Sequence, residues 1–164
     1  MSHGGADDRA FLARAYRQHG AGLYRYALML LADAADAEDV LQQVFAALAD
    51  RRGGLAIDDA GAYLRRAVRN AAFSLLRRRR TVRHFAGPLL EPVAPGASPA
   101  ERLALEQGLR QLPPEQREVV HLHVYEGMTF REIAAATGES VNTVAGRYRY
   151  ALDHLRRFLC RRAL

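Results

Sequence analysis

The sequence has one cysteine, Cys160, and neither lysine nor tryptophan. A single cysteine excludes an intrachain disulfide and any cysteine-based zinc cluster. No apolar run approaches the roughly 20 residues that cross a bilayer, and the N-terminal MSHGGADDRA lacks the apolar stretch of a secretion signal. We therefore expect a soluble cytoplasmic protein with no membrane-inserted segment, no metal and no cofactor.

All 24 basic residues are arginine, and they are unevenly distributed along the 164-residue chain. Residues 1–50 hold four arginines and seven acidic residues, whereas residues 62–83 hold eight arginines and no acid. Residues 129–164 hold seven arginines and three acids. This distribution predicts two basic surfaces for a polyanion and one acidic surface for a different partner.

Helical periodicity dominates the chain, and no segment shows the alternation that is typical of a β-strand. The spacing predicts two helices, Asp7–His19 and Gly22–Ala32, that are separated by Gly20. We expect Asp36 to cap a third helix and a fourth, longer helix to begin near Asp59. The predicted fold class is all-α.

The third and fourth helices each carry a regular apolar stripe, which predicts their buried faces. The stripe of the third helix is Ala37, Val40, Leu41, Val44, Phe45 and Leu48. The stripe of the fourth helix is Leu64, Ala67, Val68, Ala71 and Leu75. A glycine-containing segment, DRRGGLAIDD (50–59), separates the two helices.

Residues 81–100 contain four prolines and no helical periodicity, so we interpret them as a flexible linker. Four further helices are expected beyond it, with Pro114 near the start of one and Gly127 just past its end. The chain is thus predicted to form two small helical domains, residues 5–80 and 101–162, joined by this linker.

The C-terminal domain carries the signature of a helix-turn-helix. Thr129 and Glu132 form a capping box, Gly138 closes the first helix, and Ser140 caps the second. The first helix is expected to bury Phe130, Ile133, Ala134 and Thr137. The second is expected to bury Val141, Val144, Tyr148, Ala151, Leu152 and Leu155.

The opposite face of the second helix has the residue types that bind duplex DNA. It carries Asn142, Thr143, Gly146, Arg147, Arg149 and Tyr150. Asparagine and arginine can pair with base edges in the major groove, while threonine and tyrosine can reach phosphates. A helical hairpin with a solvated basic face is the alternative. Gly146 lowers helix stability by roughly 1 kcal/mol relative to alanine, which a purely structural helix would not need.

The fourth helix mixes aromatic residues with arginines, a combination that suits an unwound nucleic-acid strand. Tyr63, Arg66, Asn70, Phe73 and Arg77 lie near one face, with Arg65 and Arg69 beside them. Hydrated arginines at the end of a helix are the simpler alternative. The preceding helix presents an acidic and amide-rich face with Glu38, Asp39, Gln42, Gln43 and Asp50.

Three segments in this order resemble the sigma-70 family of bacterial RNA polymerase sigma factors, in its extracytoplasmic-function (ECF) group. DAEDVLQQVFAAL (36–48) resembles the family's D-A-E-D signature, and AYLRRAVRNAAFSLLRRRR (62–80) resembles the W-L-x-x-I-A-x-N segment. The segment from LPPEQ to DHLR (112–156) resembles region 4. The resemblance implies a factor that binds core polymerase and directs promoter recognition, melting and initiation, with no catalysis of its own.

The resemblance also implies roles for individual residues. The helix 36–48 would bind the clamp helices of the polymerase β′ subunit, and the β flap would be a second polymerase contact. The clamp-binding residues would be Asp36, Glu38, Asp39, Gln42, Gln43 and Phe45. The −10 element would be held by Tyr63, Arg66, Arg69, Asn70 and Arg77. The −35 element would be read by Asn142, Thr143, Gly146, Arg147, Arg149 and Tyr150. An anti-sigma factor is a further possible partner of such a protein.

The chain departs from the family pattern at several of these positions. The signature's Q-E is Gln42–Gln43, and Tyr63 stands where tryptophan is usual. The family's frequent T-V-K-S-R is T-V-A-G-R here, so Ala145 stands where the family has a basic residue. The contact made by that basic residue is therefore either absent or supplied by Arg147 or Arg149.

Two other classes of protein remain as alternatives. A free-standing helix-turn-helix regulator would leave the acidic helix and the arginine–asparagine helix unexplained. An enzyme has little support, because His121 and His123 are two residues apart and do not share a helix face.

Overall fold

The computed structural model describes residues 4–50, 59–79, 96 and 98–162, and every regular element in these ranges is helical. The all-α fold class is therefore confirmed. The chain divides into two compact units, Met1–Phe85 and Ala86–Leu164. Most of the predicted linker and of the glycine-containing segment that precedes the fourth helix lies outside the described residues.

Three helices form the described part of the first unit: α1 (Gly4–Leu31), α2 (Ala34–Ala49) and α3 (Ala60–Arg78). Each helix packs against the other two. The largest fully buried side chains are Leu30 of α1, and Leu64 and Val68 of α3, together with Met29. The apolar stripe predicted for α2 is buried, apart from the half-buried Phe45.

The predicted break at Gly20 is wrong, because α1 runs through it without interruption. Gly20 is buried beneath Tyr16, and a Cβ atom there would lie 3.5 Å from the Tyr16 ring. One glycine weakens a helix by only about 1 kcal/mol, and burial of the apolar face of α1 offsets that loss. The chain leaves the helix at Ala32, which has a positive φ of 52°.

The cap of α2 is Asp33 and not Asp36 as predicted. Asp33 is extended, and its carboxylate accepts a hydrogen bond of 3.0 Å from the backbone N–H of Asp36. The helix starts three residues earlier than expected because the alanines after Asp33 are good helix formers. Asp36 is therefore buried within the first turn.

The cap of α3 is Asp59, whose side chain accepts a hydrogen bond of 2.9 Å from Ala62. The predicted start of this helix is confirmed. Its fully buried residues are Leu64, Val68 and Ala72. Of the predicted stripe, Ala67, Ala71 and Leu75 are only half-buried, so the buried face is rotated toward Ala72.

The described part of the second unit has four helices, as predicted. They are α4 (Pro99–Gln111), α5 (Pro114–Val120), α6 (Phe130–Thr137) and α7 (Val141–Arg162), with a π-helical turn (His121–Tyr125) continuing α5. Ser98 and Glu101 form a capping box that begins α4 within the last residues assigned to the linker. Gly127 has a positive φ of 68°, as expected for a residue that follows a helix end.

A buried arginine holds the corner between α4 and α5. Arg117 Nη1 donates hydrogen bonds to the carbonyls of Arg110 (3.1 Å) and Leu112 (3.2 Å). Burial lowers the pKa of Arg117 to about 10, and the neighbouring charge of Arg110 acts in the same direction. The guanidinium thus satisfies two carbonyls at a chain reversal where the backbone has no helical partner.

Candidate nucleic-acid interfaces

The helix-turn-helix consists of α6, a short turn and α7. The Thr129–Glu132 capping box is present, and Gly138 has a φ of 75° that lets the chain turn. The backbone N–H groups of Gly138 and Glu139 both donate to the Ala134 carbonyl, at 2.9 and 3.1 Å. These local predictions are confirmed, and they fix where α7 begins.

The core-facing side of α7 is narrower than predicted. Val144 and Ala151 are fully buried, and Leu155 is nearly so. Val141 and Leu152 were expected to be buried, but each is 44% exposed. The two residues are eleven positions apart, about three helical turns, so they lie on one exposed stripe beside the core face.

Tyr148 belongs to an aromatic cluster and not to the outward face. Its ring centroid lies 4.8 Å from that of His123 and 5.4 Å from that of Phe130, and the latter two are 4.7 Å apart. His123 Nδ1 donates a hydrogen bond of 2.7 Å to the Met128 carbonyl, which fixes the proton on that nitrogen. The cluster braces α7 against the π-helical turn and the start of α6.

Three of the predicted −35 residues, Asn142, Gly146 and Arg149, run along the outward face of α7, and we call them the reading stripe after that prediction. Asn142 and Arg149 are exposed, and their spacing from Gly146 places all three on one side of the helix. A Cβ atom added to Gly146 would meet nothing within 4 Å. Tyr150 beside the stripe is 60% exposed, and the Arg149 guanidinium lies 5.4 Å from its ring centroid.

The remaining two predicted −35 residues are engaged within the domain. Arg147 Nη2 lies 2.9 Å from Glu139 Oε1, and the two side chains are 25% and 32% exposed. The Thr143 and Ser140 hydroxyls are 2.8 Å apart, and Ser140 Oγ accepts a hydrogen bond of 3.0 Å from the backbone of Thr143. The spacing of Arg147 from the core residue Val144 is the sequence signal that could have located it at the edge of the core.

The predicted −10 residues lie along α3. Arg66, Asn70 and Arg77 are exposed, and Tyr63 is 36% exposed. Their spacing of three, four and seven residues puts them on one stripe. Arg69 is half-buried, with its guanidinium 4.7 Å from the ring centroid of Phe73. Arg77 also donates a hydrogen bond of 3.1 Å to the hydroxyl of Ser74.

Four of the predicted polymerase-binding residues form an exposed acidic and amide-rich face on α2. They are Glu38, Asp39, Gln42 and Gln43. Phe45 is half-buried, and its ring makes an edge-to-face contact with Tyr16 of α1, with centroids 5.2 Å apart. Tyr16 is 55% exposed. Sequence reasoning missed it because no pattern in the sequence indicates that α1 packs beside this face of α2.

Asp36 differs from the other α2 residues because its carboxylate faces α3. Arg79 Nη2 donates a hydrogen bond of 2.6 Å to Asp36 Oδ1, and Arg79 Nη1 contacts Asp36 Oδ2. Arg79 follows the last residue of α3, so the ion pair joins the end of α3 to the first turn of α2. In this structure Asp36 is an internal partner of Arg79.

The described residues show no grouping of three histidine, cysteine or acidic side chains that could hold a metal ion. His121 is buried, with Nε2 3.6 Å from Glu126 Oε1 and its ring stacked on Tyr125. Among the helices that the structure describes, none has the length and apolar character needed to cross a membrane.

A helical unit ending in a helix-turn-helix, preceded by a unit with an arginine–asparagine face, is the architecture of a transcription factor of the sigma type. Residues 15–82 match the family "Sigma-70 region 2", and residues 102–155 match "Sigma-70, region 4". The chain belongs to the sigma-70 family of RNA polymerase sigma factors, in the ECF group, and functions in transcription initiation.

Two relatives document this membership. The chain is 32% identical over 167 residues to the ECF RNA polymerase sigma factor SigL of Mycobacterium tuberculosis, a match that covers 95% of this chain and 93% of the relative. It is 37% identical over 147 residues to the RNA polymerase sigma-E factor of Streptomyces coelicolor, which covers 87% of this chain and 82% of the relative.

Solved structures show the same fold. A structure of the sigma factor RpoE in complex with the anti-sigma factor NepR from Bartonella quintana matches with a TM-score of 0.68 and 22% identity, over 93% of this chain and 96% of that chain. A structure of CnrH in complex with the cytosolic domain of CnrY matches with a TM-score of 0.61 and 26% identity, over 96% and 93%.

Proposed function

We propose that this protein binds core RNA polymerase through α2, holds the unwound −10 strand along α3, and reads the −35 duplex with α7. It works in the cytoplasm and has no catalytic activity of its own. The observation that carries this proposal is the open reading stripe of α7, which is separate from the residues that hold α7 in its domain. The assignments of individual residues below rest on exposure and chemistry.

The −35 element is the duplex target of the second unit. The major groove, about 12 Å wide, admits an α-helix, and asparagine and arginine pair bidentately with adenine and guanine. Asn142 and Arg149, which have this chemistry, are exposed on the same side of α7, about two helical turns apart. We expect the exposed Tyr150 to contact a phosphate. Gly146 between them allows the DNA backbone to approach the helix closely.

The −10 element is the single-stranded target of the first unit. An unwound strand exposes base faces that stack on aromatic rings and phosphates that bind arginines. Tyr63, Arg66, Asn70 and Arg77 share one stripe of α3, so they can follow a strand over several nucleotides. Arg69 contributes from beside this stripe, where it is packed on Phe73.

Core polymerase is the proposed partner of the α2 face. This face offers hydrogen-bond acceptors and a net negative charge to the clamp helices of the β′ subunit, through Glu38, Asp39, Gln42 and Gln43. The rings of Phe45 and Tyr16, which contact each other, add aromatic surface to this unit. The β flap is the proposed contact of the second unit, with no residues assigned to it.

An anti-sigma factor is a further proposed partner. One of the solved structures cited above is a complex of the sigma factor RpoE with NepR, named as an anti-sigma factor, and the other is a complex of CnrH with the cytosolic domain of CnrY. A regulator of this kind would control when the chain reaches polymerase.

Two matched amide truncations test the division of labour between the units. Asn142→Ala should lower holoenzyme affinity for promoter duplex roughly 5- to 150-fold, since a bidentate base contact contributes about 1–3 kcal/mol. It should leave binding to a pre-melted −10 bubble unchanged. Asn70→Ala should have the reverse effect, with normal duplex binding and reduced permanganate reactivity of the −10 bases.

The alternative of a free-standing helix-turn-helix regulator predicts a different result. A wild-type chain that binds duplex DNA but fails to bind core polymerase would contradict the proposal and favour that alternative. Equal effects of the two truncations on both templates would contradict the division between α3 and α7.

A further inference from the structure

We propose that Arg147 is a positioning residue for the recognition helix and that it does not read a base. The inference rests on the proposed −35 function of α7. Its basis is the ion pair of 2.9 Å that Arg147 makes with Glu139 across the turn of the helix-turn-helix. We call this pair the turn clasp.

The position of Arg147 on α7 places it at the edge of the core. It follows the fully buried Val144 by three residues and precedes the fully buried Ala151 by four. Residues with these spacings share a helix face. Its side chain is 25% exposed, whereas Arg149 is exposed on the reading stripe.

Glu139 connects the clasp to the end of α6. Its backbone N–H donates to the Ala134 carbonyl, so the residue is part of the helix terminus. Its carboxylate holds the second turn of α7 through Arg147. The clasp therefore joins the last turn of α6 to α7 from one side, while Val144 fills the joint from the interior.

The clasp also neutralises an acidic charge beside the recognition helix. Glu139 lies two residues before α7, and the N-terminal part of a recognition helix is the part that approaches the bases. A carboxylate without its arginine at this point would repel the phosphates of any bound duplex. Arg147 thus supports affinity for every sequence, and base preference falls to Asn142 and Arg149.

Two assays on holoenzyme with a substitution at position 147 test this assignment. Selection of bound promoters from a library with a randomised −35 element measures base preference. Titration of one selected duplex measures affinity. Arg147→Gln should weaken binding about fivefold on all sequences, in line with the loss of a half-buried ion pair, with unchanged base preferences. Arg147→Lys should retain affinity within about twofold, because a lysine can pair with Glu139.

A double variant isolates the clasp itself. Glu139→Gln combined with Arg147→Gln should bind better than Arg147→Gln alone, to within about twofold of wild type, since no unpaired carboxylate remains. Arg149→Gln is the matched control, and it should relax the preference at one base pair. Thermal unfolding of each variant confirms that α7 is folded before binding is compared.

Two results would overturn the assignment. One is a relaxed preference at a single base pair in Arg147→Gln or Arg147→Lys, which would make Arg147 a reader. The other is a double variant that binds no better than Arg147→Gln. A wild-type holoenzyme with no −35 preference at all would instead contradict the proposed function of α7, so the two failures are distinguishable.

Discussion

Replacing Gly146 by alanine should stabilise the fold and weaken −35 binding at the same time. Gly146 lies inside α7 and is not among the described glycines with positive φ, so alanine adopts its backbone conformation without strain. An added Cβ would meet nothing within 4 Å, so no contact in the chain opposes the change. Alanine should therefore contribute its full propensity advantage of roughly 1 kcal/mol.

The expected gain in stability is measurable in a unit of this size. For a domain of about 60–100 residues, 1 kcal/mol corresponds to a rise in Tm of about 4–8 °C. Calorimetry of the full chain, with hydrogen exchange in α7 to assign the transition, provides the measurement. Gly22→Ala is a matched control, because Gly22 also lies within a helix with nothing within 4 Å of an added Cβ.

The DNA-binding effect of the same substitution has the opposite sign. If the DNA backbone approaches α7 closely at Gly146, a methyl group there overpacks the interface, at about 1–3 kcal/mol, or roughly 5- to 150-fold in affinity. Holoenzyme with Gly22→Ala should bind promoter duplex normally. A more stable Gly146→Ala protein with unchanged promoter affinity would refute the close approach, and a destabilised one would refute the structural reasoning.

Four further substitutions test packing and charge within the units. Gly108→Ala should stabilise the chain less than Gly146→Ala does in urea unfolding, because a Cβ there would lie 3.0 Å from Leu155 Cδ2 and 3.1 Å from Phe158 Cδ1, and this crowding offsets the gain in helix propensity. Asp36→Asn and Arg79→Gln should each lower the stability of the first unit, and the double variant should lose little more than either alone, because both break one ion pair. Hydrogen bonds from Thr129 hold the pKa of Glu132 below its ordinary value of 4.5, so this group contributes stability at neutral pH that is lost on acidification below 4.5. Glu132→Gln, which preserves the capping box, should show a smaller loss in acid denaturation; an identical pH profile would contradict this role.

Local signals accounted for most of the helix ends that sequence reasoning located correctly. The capping residues Thr129, Ser140 and Asp59, and the positive-φ Gly138, act within three or four residues along the chain. Their chemistry is therefore visible in the sequence. The helix-turn-helix was predicted on this basis.

Most of the errors arose where tertiary contacts override local preference. Gly20 is inside a helix because α1 buries an apolar face. The cap at Asp33 is a local signal that was overlooked, whereas the pairing of Asp36 with Arg79, 43 residues away, is a tertiary contact. Sequence reasoning also missed that Arg147, a predicted −35 residue, pairs with Glu139 across the turn; its −35 role stays a prediction. Spacing from Val144 would have placed its Cβ correctly, but no sequence pattern identifies the carboxylate that its guanidinium reaches.

The separation of the core-facing side of α7 from its reading stripe has a consequence for how such proteins diversify. Val144 and Ala151 hold α7 in its unit and lie on its buried side. Asn142, Gly146 and Arg149 lie on the opposite side of the helix. On the −35 role proposed for α7, a substitution on the outward stripe would change promoter choice without creating a cavity, so new specificities could be sampled while the protein stays folded. The same separation makes α7 a suitable scaffold for engineering mutually independent initiation factors by exchanging three surface residues.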